Sequence, residues 1–255
     1  MNDDIAIRLT NVSKTFSIRD KYPGNFMQKS AAFITGKNKR KISAVKNINL
    51  EVKKGEFLGI VGANGSGKST LIHLMTGVYQ SDRGGIAEIN GNYIRLSLGL
   101  GFNSELTARE NIFLNGAVMG VKLMDLREKF DKIIEFAELK KFVNTKIKYF
   151  SRGMRARLAF AVAVHAEADI FLMDEFFGGV GDERFRARSD EIFAESFVKG
   201  RTIVHVSHNL STIKHYADRV VLLHQGECLG IGTADEIFAL YKQTIKVKKL
   251  NLRDE

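Results

Sequence analysis

The stretch Gly62-Ala63-Asn64-Gly65-Ser66-Gly67-Lys68-Ser69-Thr70 constrains this chain more than any other. It follows the apolar run Phe57-Leu58-Gly59-Ile60-Val61 and leads into Leu71-Ile72-His73-Leu74-Met75, so the expected order is strand, glycine-rich turn, helix. Glycines at 62, 65 and 67 let the backbone close around an anion, while the N–H groups of the turn and of the helix N-terminus point inward. In that arrangement Lys68 reaches the β- and γ-phosphates of a nucleotide and the Ser69 hydroxyl ligates Mg²⁺. The candidate cradle comprises Gly62, Asn64, Gly65, Ser66, Gly67, Lys68, Ser69 and Thr70. The alternative is a glycine-rich turn that binds nothing. Against it stand the four filled fixed positions and the strand and helix flanks.

A chain of 255 residues is long enough for one large α/β domain with a substantial core. The single cysteine, Cys228, allows no internal disulfide, which fits a reducing compartment. The polar start Met1-Asn2-Asp3-Asp4 carries no signal-peptide pattern, and no stretch reaches about 18 uninterrupted apolar residues. If the chain serves a membrane process, another chain is expected to supply the span. The formal net charge of +10 is unevenly placed. Residues 17–46 hold Arg19, Lys21, Lys29, Lys37, Lys39, Arg40, Lys41 and Lys46 against Asp20 alone, and residues 242–255 hold Lys242, Lys246, Lys248, Lys249 and Arg253 against Asp254 and Glu255. The rest of the chain is formally neutral. The basic excess therefore sits on two appendages, which suit an anionic membrane surface or an anionic ligand at least as well as a nucleic-acid backbone.

Along the chain, Ile5-Ala6-Ile7-Arg8-Leu9 alternates as a strand does. Phe16 follows, an aromatic placed either to stack on an adenine ring or to join the core. After the turn signal Tyr22-Pro23-Gly24, residues Phe26, Met27, Ala31, Phe33 and Ile34 share one helical face, with Gln28 and Lys29 on the other. This predicts a short amphipathic helix over 25–36, suited to a membrane interface, to a partner, or to packing on its own domain. Ala44 to Val52 reads as a strand. Roughly 95–165 reads as a helical insertion: Thr107 and Glu110 are spaced as a capping box, and Leu126, Phe130, Ile133, Ile134 and Ala137 form an amphipathic face. Strands return at 169–173, 201–206 and 219–223, and Thr233 with Glu236 caps a last helix. Strands separated by helices predict a mainly parallel sheet.

The acidic pair Asp174-Glu175 ends the apolar strand Ile170 to Met173, at the carboxyl edge where such sheets place ligands. Asp174 is expected to hold Mg²⁺ opposite Ser69, and Glu175 to polarise a water that attacks the γ-phosphate. His208 ends the following strand on the same rim, placed to contact a γ-phosphate, whereas His205 inside that strand reads as structural.

Phe150-Ser151-Arg152-Gly153-Met154-Arg155-Ala156-Arg157-Leu158 resembles the Leu-Ser-Gly-Gly-Gln signature of ATP-binding-cassette ATPases, with Ser151 and Gly153 kept. Phosphate loop, signature, Asp-Glu and His follow in that family's order over nearly the whole chain. The resemblance implies a P-loop NTPase with a RecA-like core, an antiparallel β subdomain and an inserted helical subdomain. It also implies ATP and Mg²⁺ as cofactors and a head-to-tail homodimer, each ATP being clamped between one phosphate loop and the partner copy's Ser151 helix. Asn103 stands where the family has a glutamine that senses Mg²⁺. Leu98-Gly99-Leu100-Gly101-Phe102-Asn103-Ser104-Glu105-Leu106-Thr107-Ala108-Arg109-Glu110-Asn111-Ile112 further resembles the ATPases that export lipid-linked polysaccharides of the capsule, O-antigen and teichoic acid kinds. Residues 149–161 and Val180-Gly181-Asp182 with Phe185 resemble that group too, as does the helix expected at 25–36.

This narrower likeness implies a peripheral ATPase on the cytoplasmic face of the cell membrane, working beneath two copies of a separate permease, with no nucleic acid as partner. The chain departs from the family at Arg152, where a small residue is usual, at Met154, usually Gln, and in a longer loop between Glu175 and Asp182. A cassette for another lipid or small molecule is the nearest alternative. A soluble cassette protein on nucleic acid or ribosomes usually fuses two cassettes or inserts long coiled coils, neither of which is present here. A purely regulatory nucleotide module would have no use for Glu175 and His208.

Overall fold

In the computed structural model, the residues described are 4–19, 39–97, 101–174, 200–207 and 209–251. The helix expected at 25–36, Glu175, His208 and the loop that follows Glu175 lie outside them.

The central sheet is built from strands β3 (Phe57–Val61), β5 (Tyr93–Ser97), β6 (Ile170–Asp174), β7 (Thr202–Val206), β8 (Arg219–His224) and β9 (Glu227–Gly232), in the order β5-β6-β7-β3-β8-β9. All neighbours pair in parallel except β8 and β9, which form an antiparallel hairpin. A second sheet of β1 (Ile5–Arg19), β2 (Lys39–Lys53) and β4 (Ile86–Ile89) is antiparallel, in the order β2-β1-β4. Between them the described helices are α1 (Lys68–Met75), α2 (Ala108–Val118), α3 (Leu123–Phe136), α4 (Arg152–Val164), α5 (Leu210–Tyr216) and α6 (Ala234–Asn251).

The apolar runs of β3, β6, β7 and β8 do not alternate with polar residues, because both faces of the central sheet are covered. Side chains one residue apart still point to opposite faces. Phe57 and Val61, Phe171 and Met173, Ile203, and Val220 and Leu222 enter one core, with α2, α3, α4 and Ile213 of α5. Leu58 and Ile60, Ile170 and Leu172, Val204 and Val206, and Val221 and Leu223 enter a second core, closed by α1 and the antiparallel sheet. The predicted face of α3 is buried as the spacing requires, from Leu126 to Ala137. The capping box of α2 also forms: the Glu110 N–H bonds the Thr107 hydroxyl, and the Thr107 N–H bonds the Glu110 carboxylate.

Two expectations are redrawn. The strand expected over 5–9 continues to Arg19, and that expected over 44–52 begins at Lys39, the two pairing as far as Arg19 opposite Lys39. Both flanks of the basic segment at 17–46 are thus strand, and Phe16 lies inside β1, opposite Ile42, instead of after it. The helical region begins later than residue 95, since Tyr93–Ser97 is the edge strand beside β6.

Candidate nucleotide-binding site

The phosphate loop leaves the carboxyl end of β3, and Asp174 is the last residue of β6. These parallel strands are separated only by β7, so both ends emerge on one rim of the sheet. The loop geometry depends on two glycines. Gly62 has φ +154°, and a Cβ there would lie 2.2 Å from the Leu223 carbonyl oxygen. Gly67 has φ +105° as the N-cap of α1, and its Cβ would lie 2.3 Å from the Ala44 carbonyl oxygen. No side chain among the described residues caps α1 and no acidic residue occupies its first turn, so its leading N–H groups and positive dipole end suit an anion.

Lys68 is buried and threads back into the loop, its Nζ donating to the carbonyls of Gly62 and Ala63 at 2.9 Å each. A cavity of about 710 Å³ opens over the loop, lined by Asn64, Gly65, Gly67, Lys68, Ser69 and Thr70 together with Phe16, Ile42, Ser43, Ala44, Lys46 and Gln225. Its volume is in the range of a small-molecule or cofactor site. Buried Ser66 Oγ has no hydrogen-bond partner among the described residues. Ser69 Oγ, on the cavity wall, and Asp174 Oδ1 lie 3.4 Å apart, which sets a hydroxyl and a carboxylate side by side. That hard-oxygen pair, with phosphate oxygens and water completing the shell, is the donor set Mg²⁺ favours. Among the described residues no group of three or more His, Cys, Asp or Glu gathers as an all-protein metal cage.

The other predicted residues lie elsewhere. Ser151 is the N-cap of α4, its hydroxyl accepting the Met154 N–H at 3.1 Å; it is exposed, as is Arg152, and Gly153 follows half-buried. None of these lines the cavity over the loop. Asn103 precedes α2. Its side-chain oxygen accepts the Glu105 N–H at 3.0 Å, while its backbone N–H donates to Asn111 Oδ1 at 2.8 Å. Fully buried Asn111 holds this turn by donating to the carbonyls of Asn103, Leu106 and Thr107. His205 is completely buried edge-on to Phe57, and burial pushes its pKa down to about 4, so it is neutral at physiological pH.

Sequence reasoning missed the β8–β9 turn. Gly226 donates its N–H to the Ser66 carbonyl at 3.0 Å and accepts the Lys46 N–H at 2.8 Å, tying the phosphate loop to β2, while Gln225 faces the cavity. The signal was present: a two-residue loop of Gln225 and Gly226 between paired His224 and Glu227 is a primed hairpin turn, and φ is positive at both residues.

Comparison with known proteins agrees with this geometry. Residues 45–178 match the family described as ABC transporter, more than half of the chain. The O-antigen export system ATP-binding protein RfbB of Myxococcus xanthus is 38% identical over 250 residues, covering 95% of this chain and 56% of that protein. RfbB of Klebsiella pneumoniae is 39% identical over 206 residues, covering 81% of this chain and 83% of that protein. The teichoic acids export ATP-binding protein TagH of Listeria monocytogenes is 35% identical over 250 residues, covering 96% and 72%. The chain thus spans little more than half the length of the Myxococcus relative. In fold it is similar to an ATP-binding subunit of an ABC transporter, with TM-score 0.70, 22% identity and 93% of each chain covered. It is also similar to a dimeric ATP-binding cassette in a post-hydrolysis state with ADP and Pi, with TM-score 0.69, 23% identity and coverage of 89% and 98%. With a phosphate loop in place and relatives at this identity, the chain belongs to the ABC transporter family, as one of its ATP-binding subunits.

Proposed function

We propose that this chain is the ATP-hydrolysing subunit of an exporter that moves a lipid-linked polysaccharide across the cytoplasmic membrane. The observation that carries the chemistry is the Ser69–Asp174 pair at the rim of the phosphate loop. Ser69 and Asp174 would hold Mg²⁺, with Asn103 as a further candidate, and the metal would neutralise charge on the β- and γ-phosphates when bound. Lys68 and the uncapped start of α1 bind the phosphates, Phe16 and the cavity wall take the base, and Glu175, next after Asp174, orients the attacking water with His208 at the γ-phosphate. The exposed N-terminus of α4 at Ser151, with half-buried Gly153, is offered to the nucleotide of a second copy, which makes the working unit a homodimer. The solved cassette of like fold that was trapped after hydrolysis is itself dimeric.

The cargo is read from likeness. Relatives at 35–39% identity are named for O-antigen and teichoic acid export, and the pattern at 98–112 resembles theirs. No helix among the described residues is long and apolar enough to cross a membrane. On the proposed reading a separate permease supplies the translocation path, and the chain sits peripherally at the membrane's cytoplasmic face. Leu114 and Val118 on α2 and Leu123 and Met124 on α3 are exposed, an apolar ledge suited to docking that permease. The test is Glu175→Gln in the native host, with lipid-linked glycans fractionated between cytoplasm and surface. Accumulation inside with loss of the surface glycan is expected. An unchanged surface in cells making only the variant overturns the cargo.

A further inference from the structure

Among the described residues Phe16 is the only aromatic side chain lining the cavity over the phosphate loop, and it sits on β1 of the antiparallel sheet, away from the loop itself. A ring that receives a flat base must hold its plane, because stacking energy depends on offset and tilt. Phe16 is half-buried and has the apolar Ile42 opposite it on β2. What meets the ring from the other part of the site is Tyr79, in the turn after α1. The two centroids lie 5.3 Å apart and the ring planes are at 73°, an edge-to-face contact. Tyr79 is itself fixed at its other side: its N–H donates to the His73 carbonyl at 3.0 Å, and its ring meets the His73 imidazole edge-on at 4.9 Å. Lys14 completes the cluster. Its Nζ donates to the Gln80 carbonyl at 2.8 Å and lies 5.8 Å from the Phe16 centroid and 5.9 Å from that of Tyr79.

His73 belongs to α1, the helix whose N-terminus forms the phosphate cradle. Phe16, Tyr79 and His73 are therefore three aromatic rings in series, running from the base platform to the phosphate helix. We propose that Tyr79 is a positioning residue for nucleotide recognition: it sets the plane of Phe16 and the spacing between the base and phosphate subsites. The inference rests on the nucleotide-site reading above and adds a residue to it that touches neither base nor phosphate. Lys14 has the same role in lesser degree, since a cation beside two rings draws both to one arrangement.

The experiment compares two ligands that share phosphates and differ in the base: ATP and inorganic triphosphate, each titrated with Mg²⁺ into the full chain by calorimetry. Tyr79→Leu, which keeps apolar volume without a ring, should weaken ATP about fivefold and leave triphosphate unchanged. Tyr79→Phe, which keeps the ring, should bind both as the wild type does. In a Phe16→Ala background Tyr79→Leu should have no further effect on ATP, because a positioning residue acts only through the ring it holds. If Tyr79→Leu weakens ATP and triphosphate equally, or still costs fivefold without Phe16, its role is structural and the inference fails. If the wild type binds ATP no better than triphosphate, the base subsite itself fails, and with it the reading on which this inference stands.

Discussion

Ser69 Oγ and Asp174 Oδ1 lie 3.4 Å apart although they come from different strand ends, one after β3 and the other at the end of β6. Each is an oxygen donor, and on the proposed reading the two would share a Mg²⁺ beside the nucleotide's outer phosphates. Asp174→Asn should lower the Mg²⁺-dependent ATPase rate about 100-fold, as expected for losing one charged group aimed at the transferring phosphoryl. Ser69→Ala should raise the Mg²⁺ concentration needed for half-maximal rate. Titration of rate against Mg²⁺ at fixed ATP checks both; an unchanged Mg²⁺ dependence in both variants removes the pair from the metal site.

Gly62 tolerates no side chain. Gly62→Ala would put a Cβ 2.2 Å from the Leu223 carbonyl oxygen, on a backbone with positive φ. The combined clash and strain should cost about 2–4 kcal/mol of stability. Urea unfolding read at constant slope measures it, and ATP should no longer raise the melting temperature.

Burial of the His205 imidazole makes stability fall with acid. Its folded pKa is pushed down to about 4 from an ordinary 6.5, so below pH 6.5 the unfolded chain takes up a proton that the native chain refuses. The stabilisation is complete above pH 6.5 and is lost progressively as pH falls towards 4. His73 and His165, whose pKa values are also lowered chiefly by burial, act in the same direction. Replacing His205 by Leu should remove roughly 3 kcal/mol of that fall. Unfolding free energies at pH 7, 5.5 and 4.5 for the two proteins give the comparison; parallel curves would refute the assignment.

Glu56 is almost wholly buried and its carboxylate is met by Arg219, with Nε to Oε1 at 2.6 Å and Nη2 to Oε2 at 3.2 Å, and by the Lys53 N–H at 2.7 Å. The pair ties the β2–β3 turn to β8. Arg219→Ala should destabilise by about 2 kcal/mol, because it leaves a buried carboxylate with too few donors. Adding Glu56→Gln should recover part of that loss. Chemical denaturation of the single and double variants decides it: additive losses would mean that the two side chains do not depend on each other.

The phosphate loop was legible because its glycines take a backbone conformation that side chains disfavour, with φ positive at Gly62, Gly65 and Gly67. The helix face from Leu126 to Ala137 and the Thr107–Glu110 box were legible for a similar reason: their physics acts within one or two turns of a helix. What escaped is long-range or irregular. The β1–β2 ladder is broken by successive register shifts between Leu9 and Thr15, so its alternation fades just before Phe16. β9, Glu227–Gly232, is short and contains two glycines, which weaken any strand signal. The Phe16–Tyr79 contact and the Gly226–Ser66 hydrogen bond join residues far apart in the chain, where no periodicity connects them.

The two cores on either side of β3 give the site a fixed end. Leu58 and Ile60 are locked into one core while Phe57 and Val61 are locked into the other, and β7 and β8 hold the strand's edges. Amides in such a strand exchange with solvent only when the whole domain opens. The phosphate loop is thus rooted in the part of the molecule that yields last, and any motion driven by a nucleotide would fall to the elements that approach the loop from outside the sheet.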